Sequence, residues 1–591
     1  MRILGLNGGF ALPLRDGGDR HPLDDGAAAL LVDGVVACAA IEERLTRHRY
    51  VGGFRHSAPL CLAAGRTGWE ALDGVAFSTC CERRWTRPED VVDELRQTFG
   101  GRIHPSTARV LTRRVAVVDH HESHAALAFA ASGAARALVA VLDGLGNRRD
   151  GSPPAPRWQG AFQRHSYYLA SWSEAGMELE LVDEDCGGQD EAGIGEVYRA
   201  LTHFAGWRSY HQAGTTMALA GFGDPRRAGA VEFVSLRDGE IVVPVASRYT
   251  DPEGLVLEVL RRAGVRLSPC PPSAPATPAD RALCDVVAAL QAQVEHVLRE
   301  RLAALCDRHG VSDLCLGGGV ALNCLAMGRL SAALPGIRVS VSPAPGDTGQ
   351  SLGNALWAAC SRHSPLARPG ARRARPSVRS GALGFAYPPL AYRRAAERLA
   401  GRRGVRVYGP FPMRELARGA AELLEAGIVV ATRGGRGEYG PRALGQSSVL
   451  ADSRRAEMRD RVNDFKRREA FRPYAPCVLA EHAAEYFHAP AESPFMSFAA
   501  AVREERCAQV PAVLHVDATA RYQTVAADGP VFLRAVLEEF YARTGVPVLV
   551  NTSFNRAGEP IVETPDDAAR CFADSALPAL CLGPYLGVKS R

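Results

Sequence analysis

The sequence predicts an α/β protein of more than one domain, and three observations carry that reading. Short β-branched runs alternate with helix-length stretches along most of the chain. Its 591 residues exceed what one hydrophobic core fills, because domains hold roughly 100–200 residues each. Apolar residues make up 47% and charged residues 23%, the balance of a globular chain rather than a disordered or fibrous one.

In chain order, MRILGLNG, AAALLVDG and VVACAAIEER read as strands, the last two joined as a hairpin by Asp33-Gly34. Then RRVAVVDH reads as a strand, HHESHAALAFAAS as a helix, and ALVAVLDGLG as a strand ending in Asp-Gly. The stretch VVAALQAQVEHVLRERLAALCDRHG is a long helix, followed by the strand–loop–helix DLCLGGGVALNCLAMGRL, the loop PAPGDTGQ and the helix SLGNALWAAC. Residues 361–382 carry no hydrophobic period and mix Pro, Gly, Ser and Arg, so they read as a connector between domains at 1–360 and 383–591. Beyond it, RELARGAAELLEAG and DGPVFLRAVLEEFYARTG read as helices, and GIVVATRG and VPVLVNTSFN as strands.

The net charge of +5 is too weak for its length to indicate a nucleic-acid or membrane partner. No run approaches ~18 apolar residues, and the N-terminus lacks the pattern of a signal peptide, so the cytoplasm is the expected compartment. Fifteen cysteines without a CxxC pair read as reduced, mostly structural thiols. Among 70 basic residues only Lys466 and Lys589 are lysine. Against that arginine background, a retained lysine marks a place where a compact ammonium does what a guanidinium cannot.

Asp119-His120-His121-Glu122-Ser123-His124 lies where a strand hands over to a helix, which puts His120 and His124 on one helical face. Asp143 and Asp347 each sit in a glycine-flanked loop after an apolar strand. Two imidazoles and two carboxylates suit iron, manganese or zinc rather than calcium. Capping or core histidines and turn aspartates are the alternative. Gly317-Gly318-Gly319, with Asn323 close behind, leaves backbone bare for a nucleotide, or makes a tight packing turn. Between residues 433 and 476, Arg436, Arg442, Arg454, Lys466, Arg468 and Arg472 lie among glycines, prolines and short polar groups, a chemistry matched to phosphate oxygens. His515, Asp517, Arg521 and the turn Asn551-Thr552-Ser553-Phe554-Asn555 add polar groups, the turn serving as a cap or an anion nest.

The ordered strings IEERLTRH, DHHESHAALAFAASG, VLDGLG, GIGEVYRALTHFAGW, GGGVALNC, PGDTGQSLGNAL, GEYGPRALG, NDFKRREAFRPYAP, HVDATARYQTV and NTSFNRAGEPIVETPDDA resemble the NodU/CmcH carbamoyltransferase family, which includes O-carbamoyltransferases of antibiotic biosynthesis. The resemblance spans nearly the whole chain. It implies a two-lobed N-terminal domain like the threonylcarbamoyltransferases of the actin-like ATPase superfamily and a YrdC-like C-terminal domain. It also implies that carbamoyl-adenylate is made from carbamoyl phosphate and ATP, and that its carbamoyl group passes to a hydroxyl of a small-molecule natural-product acceptor. Carried over by position, it implies metal ligands at His120, His124, Asp143 and Asp347, with ferrous iron (Fe2+) or another divalent ion, Mg2+ being compatible. Arg442, Lys466, Arg472, Arg521 and Ser553 would bind and activate carbamoyl phosphate and ATP, and Gly317, Gly318 and Asn323 would border the adenosine. A homodimer is compatible with it, and neither nucleic acid nor membrane is a partner.

The sequence departs from the family at Asp24-Asp25-Gly26-Ala27-Ala28-Ala29, where a His-Asp pair is usual. Asp24 then becomes the candidate base for the acceptor hydroxyl, a weaker one than histidine unless desolvated, with His21 as a substitute. Ser447 stands where arginine is common, and AGTTMALA lacks a lysine often found before Thr-Met. Two other readings remain: a tRNA threonylcarbamoyl transferase, disfavoured by the second domain, and a non-catalytic actin-like nucleotide-binding scaffold.

Overall fold

Residues 1–8, 25–78, 87–147, 161–187, 191–246, 251–367, 375–376, 378–488 and 491–590 are described by the structure, a computed structural model. The protein is α/β, as expected. Its chain packs as two compact units that interleave in sequence: Met1–Asp73 with Glu94–Thr107 and Val378–Arg591, and Gly74–Asp93 with Ala108–Ser377.

In the first unit, the strands Arg2–Asn7, Ala27–Val32 and Val35–Ile41 form an antiparallel meander. Asp33 and Gly34 have φ of 51° and 82°, the left-handed pair that a tight hairpin needs and that Asp-Gly supplies. The rest of this unit is built on a nine-stranded mixed sheet, in the spatial order Val405–Tyr408, Tyr585–Lys589, Ala579–Leu582, Val430–Arg433, Ser447–Asp452, Val548–Ser553, Ala475–Leu479, Thr519–Val525 and Phe498–Ala501. Helices Met413–Glu425 and Val531–Thr544 bury Leu416, Ala420, Leu424, Leu533, Leu537 and Phe540 in one core with Val430, Leu450 and Leu549 of the sheet. The helical spacing of those residues is what the sequence pattern expects.

Arginines tie the meander to this sheet domain. Arg44 donates to the carbonyls of Glu438 and Gly440. Arg47 donates to those of Ile561 and Pro560 at 2.6 and 2.8 Å. Arg436 reaches the Ala37 and Leu383 carbonyls, both at 2.8 Å. The unit is thus assembled from chain segments nearly 400 residues apart in sequence, as in the Arg44–Glu438 contact with its separation of 394.

In the second unit, a five-stranded sheet runs in the order Arg338–Val341, Asp313–Gly317, Arg136–Leu142, Phe162–Ser173, Gly176–Gly187. The first three strands are parallel, so Leu142 and Gly317 end on the same edge, where α/β proteins gather functional loops. The last two form a long hairpin that the sequence pattern does not anticipate. Helix His120–Ser132 packs on this sheet and against helix Gln350–Cys360. No helix among the described residues is long and apolar enough to cross a membrane.

Candidate metal centre and anion site

Asp119 caps the helix His120–Ser132 by accepting from the His121 and Glu122 amides at 2.9 and 3.2 Å, and Gly133 ends it at φ 71°. The cap fixes where the first turn starts, and the i, i+4 spacing then projects His120 and His124 together toward the carboxyl edge of the parallel strands. There His120 Nε2 lies 3.1 Å from Asp143 Oδ2 and 3.6 Å from Asp347 Oδ1. His124 Nε2 lies 3.4 and 3.3 Å from the same two oxygens. One ligand atom from each of the four residues falls within 4.8 Å of the others. Such a mixed nitrogen and oxygen set fits a first-row divalent ion. His120, His124 and Asp143 are buried, whereas the Asp347 side chain is 39% exposed and marks the open side.

Burial opposes charge on His124, but hydrogen bonds and attraction from Asp143 and Asp347 outweigh it and hold the imidazolium up to about 9. Burial alone would raise Asp143, yet its two histidine partners hold that carboxyl well below the usual range. The quartet is therefore charge-compensated, and a bound cation would displace a proton from His124 rather than meet bare carboxylates. His121 faces elsewhere: its Nδ1 is 2.7 Å from Ser166 Oγ, and burial pushes it well below its ordinary pKa.

Gln350 belongs to the same centre. Its amide nitrogen is 2.8 Å from His120 Nδ1 and 2.9 Å from His124 Nε2, and its oxygen accepts from Ser78 Oγ at 2.5 Å. Ser78 in turn accepts from Asn354 at 2.8 Å. The approach is set by Gly353, where a Cβ would come within 2.1 Å of the Ser123 carbonyl oxygen, so the two helices cross backbone to backbone beside Gln350. Gly318 has φ +83°, and a Cβ there would lie 2.3 Å from the Leu142 oxygen. The glycine run thus lets the strand end turn past Asp143, whose Oδ1 accepts from the Gly319 amide at 3.3 Å. Gly317 ends its strand, and Asn323 caps helix Cys324–Ala333 through the Ala326 amide while donating to Gln291 at 2.9 Å.

In the other unit, Lys466 closes helix Met458–Lys466 and is buried. Its ammonium donates to Ser553 O at 2.7 Å, Ser553 Oγ at 3.1 Å, Asn555 O at 3.0 Å and Asn555 Oδ1 at 2.7 Å. Those acceptors are neutral. Burial, then the positive charge of Arg468, with Arg472 and Arg49 behind it, pushes Lys466 well below the usual lysine range. Burial likewise lowers Arg468 to about 10, with Tyr474 opposing and Arg472 and Arg521 adding to the fall. Arg468 lies 3.9 Å over the Tyr474 ring, and Arg472 reaches Glu469 at 3.4 Å. An uncompensated buried cation with cationic neighbours is the electrostatic form of an anion site.

Ser553 and Asn555 thus hold Lys466, and Arg521, on strand Thr519–Val525, is within electrostatic reach of Arg468. Arg442 is half-buried in the loop between Val430–Arg433 and Ser447–Asp452. Two of the arginines grouped with the phosphate chemistry serve the protein itself: Arg436 binds backbone carbonyls, and Arg454 grips the buried Asp452 carboxylate at 2.8 Å. His515 pairs with Asp517 at 3.1 Å, and Asn551 is buried against Gln523 at 2.7 Å. Ser447 is buried, its amide held by Glu438 at 2.9 Å. Asp24 and His21 lie outside the described residues. Gln350 carried no sequence expectation, although its place three residues after Asp347, at a helix start, puts both in one turn.

Two family descriptions match the chain: "Carbamoyltransferase N-terminus" over residues 91–356 and "Carbamoyltransferase C-terminus" over residues 421–589. An uncharacterized protein of Synechocystis is 30% identical, with 96% of this chain and 95% of that protein covered. Nodulation protein NolNO of Sinorhizobium fredii is 32% identical, with 100% of this chain and 83% of that protein covered. Among solved structures, full-length HypF in its phosphate- and nucleotide-bound form is similar at 14% identity and a TM-score of 0.32, covering 61% of this chain and 56% of that one. With both family regions matched in order and a relative above 30% identity aligned along the whole chain, the protein belongs to the carbamoyltransferase family and is a carbamoyltransferase.

Proposed function

We propose that this carbamoyltransferase makes carbamoyl-adenylate at the Lys466 site and transfers the carbamoyl group to a hydroxyl of a small-molecule acceptor at the His120/His124/Asp143/Asp347 centre. The observation that carries the proposal is the pairing, in one chain, of a buried cationic site with a four-ligand cation site. The accompanying fold reading is a YrdC-like domain around Lys466 and an actin-like, threonylcarbamoyltransferase-like domain around the quartet.

In the first reaction, water hydrolyses carbamoyl phosphate to carbamate and inorganic phosphate. A carbamate oxygen then attacks the α-phosphorus of ATP, and pyrophosphate leaves. Lys466, Arg468, Arg472, Arg521 and Arg442 would hold the phosphate oxygens and stabilise charge as those bonds change. Ser553 and Asn555 keep the ammonium in place until the anion arrives. In the second reaction, the acceptor oxygen attacks the carbamoyl carbon, AMP leaves, and the hydroxyl proton passes to a base, for which Asp24 remains the sequence candidate.

His120, His124, Asp143 and Asp347 would hold a divalent ion, with iron the expected one. When bound, it supplies a Lewis acid that neutralises charge on the leaving phosphate. The chain's own part is to orient that site: Asp119 fixes the histidine helix, Gly318 lets Asp143 reach the edge, and the Gln350 amide packs against the two imidazoles. Gly317, Gly318 and Asn323 would lie along the adenosine.

The test incubates the full chain with carbamoyl phosphate, ATP, ferrous iron and a panel of hydroxyl-bearing natural products. Release of AMP and pyrophosphate, with one carbamoyl group gained by an acceptor in the mass spectrum, supports the proposal. Absence of pyrophosphate release with carbamoyl phosphate and ATP overturns it.

A further inference from the structure

The Lys466 site has a neighbour from the far end of the chain. Residues 42–50 lie against the loop that holds the lysine in place. Lys466 donates to Asn555 Oδ1, and Asn555 donates through Nδ2 to the Glu559 carbonyl at 2.7 Å. The carbonyls that follow, Pro560 and Ile561, accept from Arg47 at 2.8 and 2.6 Å. Arg47 also approaches Asp567, on helix Pro565–Ala573, at 4.0 Å. On the other side, Arg44 is buried and donates to the carbonyls of Glu438 and Gly440. Two arginines of this short segment are therefore spent on docking it beside the lysine.

Arg49 is not spent in that way. It is exposed, its guanidinium lies 4.8 Å over the Tyr50 ring, and it makes no hydrogen bond or ion pair among the described residues. Arg47 has φ 62°, a left-handed residue that ends the helix Glu42–Thr46 and turns the chain. Glu43 accepts from the Tyr50 amide at 3.1 Å and closes that turn. Arg49 is near enough to Lys466 for its charge to help push the lysine down. An arginine held by its neighbours near a buried cation, with no acidic partner among the described residues, adds to the positive potential there, and an anion between the two would be attracted by both.

We propose that Arg49 is a phosphate-binding residue of the Lys466 site, delivered by the N-terminal segment and binding an oxyanion of carbamoyl phosphate or of the ATP triphosphate. The proposal rests on the reading of Lys466 as an anion site. It makes that site composite: residues 42–50 and residues 442–555 would both be needed for full affinity. A guanidinium in this place matches two phosphate oxygens at once, whereas Lys466 offers a point charge.

The experiment measures binding of inorganic phosphate and of pyrophosphate to the full-length protein by calorimetry, the first standing for the carbamoyl phosphate end and the second for the triphosphate. Wild type is compared with Arg49→Gln, Arg49→Lys, Lys466→Met and the exposed control Arg403→Gln. Thermal unfolding of each variant shows whether it is folded. The expected result is a loss of about tenfold in affinity for one of the two anions in Arg49→Gln, partial recovery in Arg49→Lys and none in the control. The anion affected names the subsite. If Lys466→Met weakens binding while folded Arg49→Gln binds both anions like wild type, Arg49 has no such role and the anion site stands. If Lys466→Met binds both anions unchanged, the anion-site reading itself fails.

Discussion

At His120, His124, Asp143 and Asp347, two imidazoles face two carboxylates, whereas the cations Arg468, Arg472 and Arg49 all act to push Lys466 down, with the Cys571 thiol opposing them. Both places bury charge, and they resolve it in opposite directions. In the quartet each charged form supports the other: His124 is held up to about 9 and Asp143 well below its ordinary value. Around Lys466 the ammonium's hydrogen-bond acceptors among the described residues are neutral oxygens of Ser553 and Asn555, and its own charge is pushed down. A compensated cluster exchanges protons for a cation, while an uncompensated one gains energy from an anion. The same medium, a dry protein interior, thus makes two binding sites of opposite preference.

The sharpest way to break this comparison is to damage each site and ask whether the other reaction notices. His124→Ala should remove metal retention and lower carbamoyl transfer on the order of 10³-fold, well beyond the 10–100-fold typical of an outer partner of a metal site. Adenylate formation should persist at a substantial fraction of its rate, read as pyrophosphate release. Lys466→Met should do the reverse, lowering adenylate formation by about 10²–10³-fold, the scale for losing one donor to developing charge. Its metal content should stay at the wild-type level. If Lys466→Met forms carbamoyl-adenylate at full rate, the division of labour between the sites is wrong.

How far such sites can be read from sequence also differs between the two. The quartet is legible because HHESH fixes two ligands by helical period, and Asp143 follows an apolar strand in an Asp-Gly turn. Lys466 is legible because it is one of only two lysines in the chain. The other, Lys589, shows the limit of that signal: it donates to the Phe572 and Ala573 carbonyls and so caps the end of helix Pro565–Ala573. Rarity points to a special contact without naming its purpose. The partners were not legible, because nothing in the sequence says that Gly353 lets one helix touch another and brings Gln350 onto the histidines. Nor does local pattern reveal that residues 1–73 pack with residues 378–591, since arginines at 44, 47 and 436 make those ties across hundreds of residues. The hairpin Phe162–Gly187 is illegible in the sequence for a related reason: its first strand is buried along most of its length, so it lacks the alternation that marks a half-exposed strand.

A smaller effect sharpens the quartet side. Gln350→Leu keeps the side chain's bulk while removing the amide that touches both imidazoles. Metal affinity, measured by competition with a chelator, should fall by about 10–100-fold, as for other partners that orient ligands. Wild-type affinity in this variant would make Gln350 a packing residue. Adenylate formation should not change, because Gln350 has no part in the anion site.

The smallest expected effect, and the most direct reading of the contrast, is a proton. Burial and flanking guanidiniums lower the Lys466 pKa well below the usual lysine range in the free protein, and a bound phosphate would raise it again. Below the free-site value the lysine is charged in both states, so binding moves no proton and affinity is at its plateau. Between the free and bound values the site takes up one proton as the anion binds, and affinity declines with rising pH by about tenfold per unit. Pyrophosphate titrations in two buffers of different ionisation heat count that proton directly. Lys466→Met should abolish the lysine's uptake and flatten the affinity profile over the same interval, leaving only the proton that pyrophosphate itself exchanges. The quartet gives the opposite sign, since metal entry displaces a proton from His124. Uptake at one site and release at the other is what the opposed charge balance requires. Equal uptake in wild type and Lys466→Met at every pH would mean that the lysine enters the complex in the same charge state it leaves.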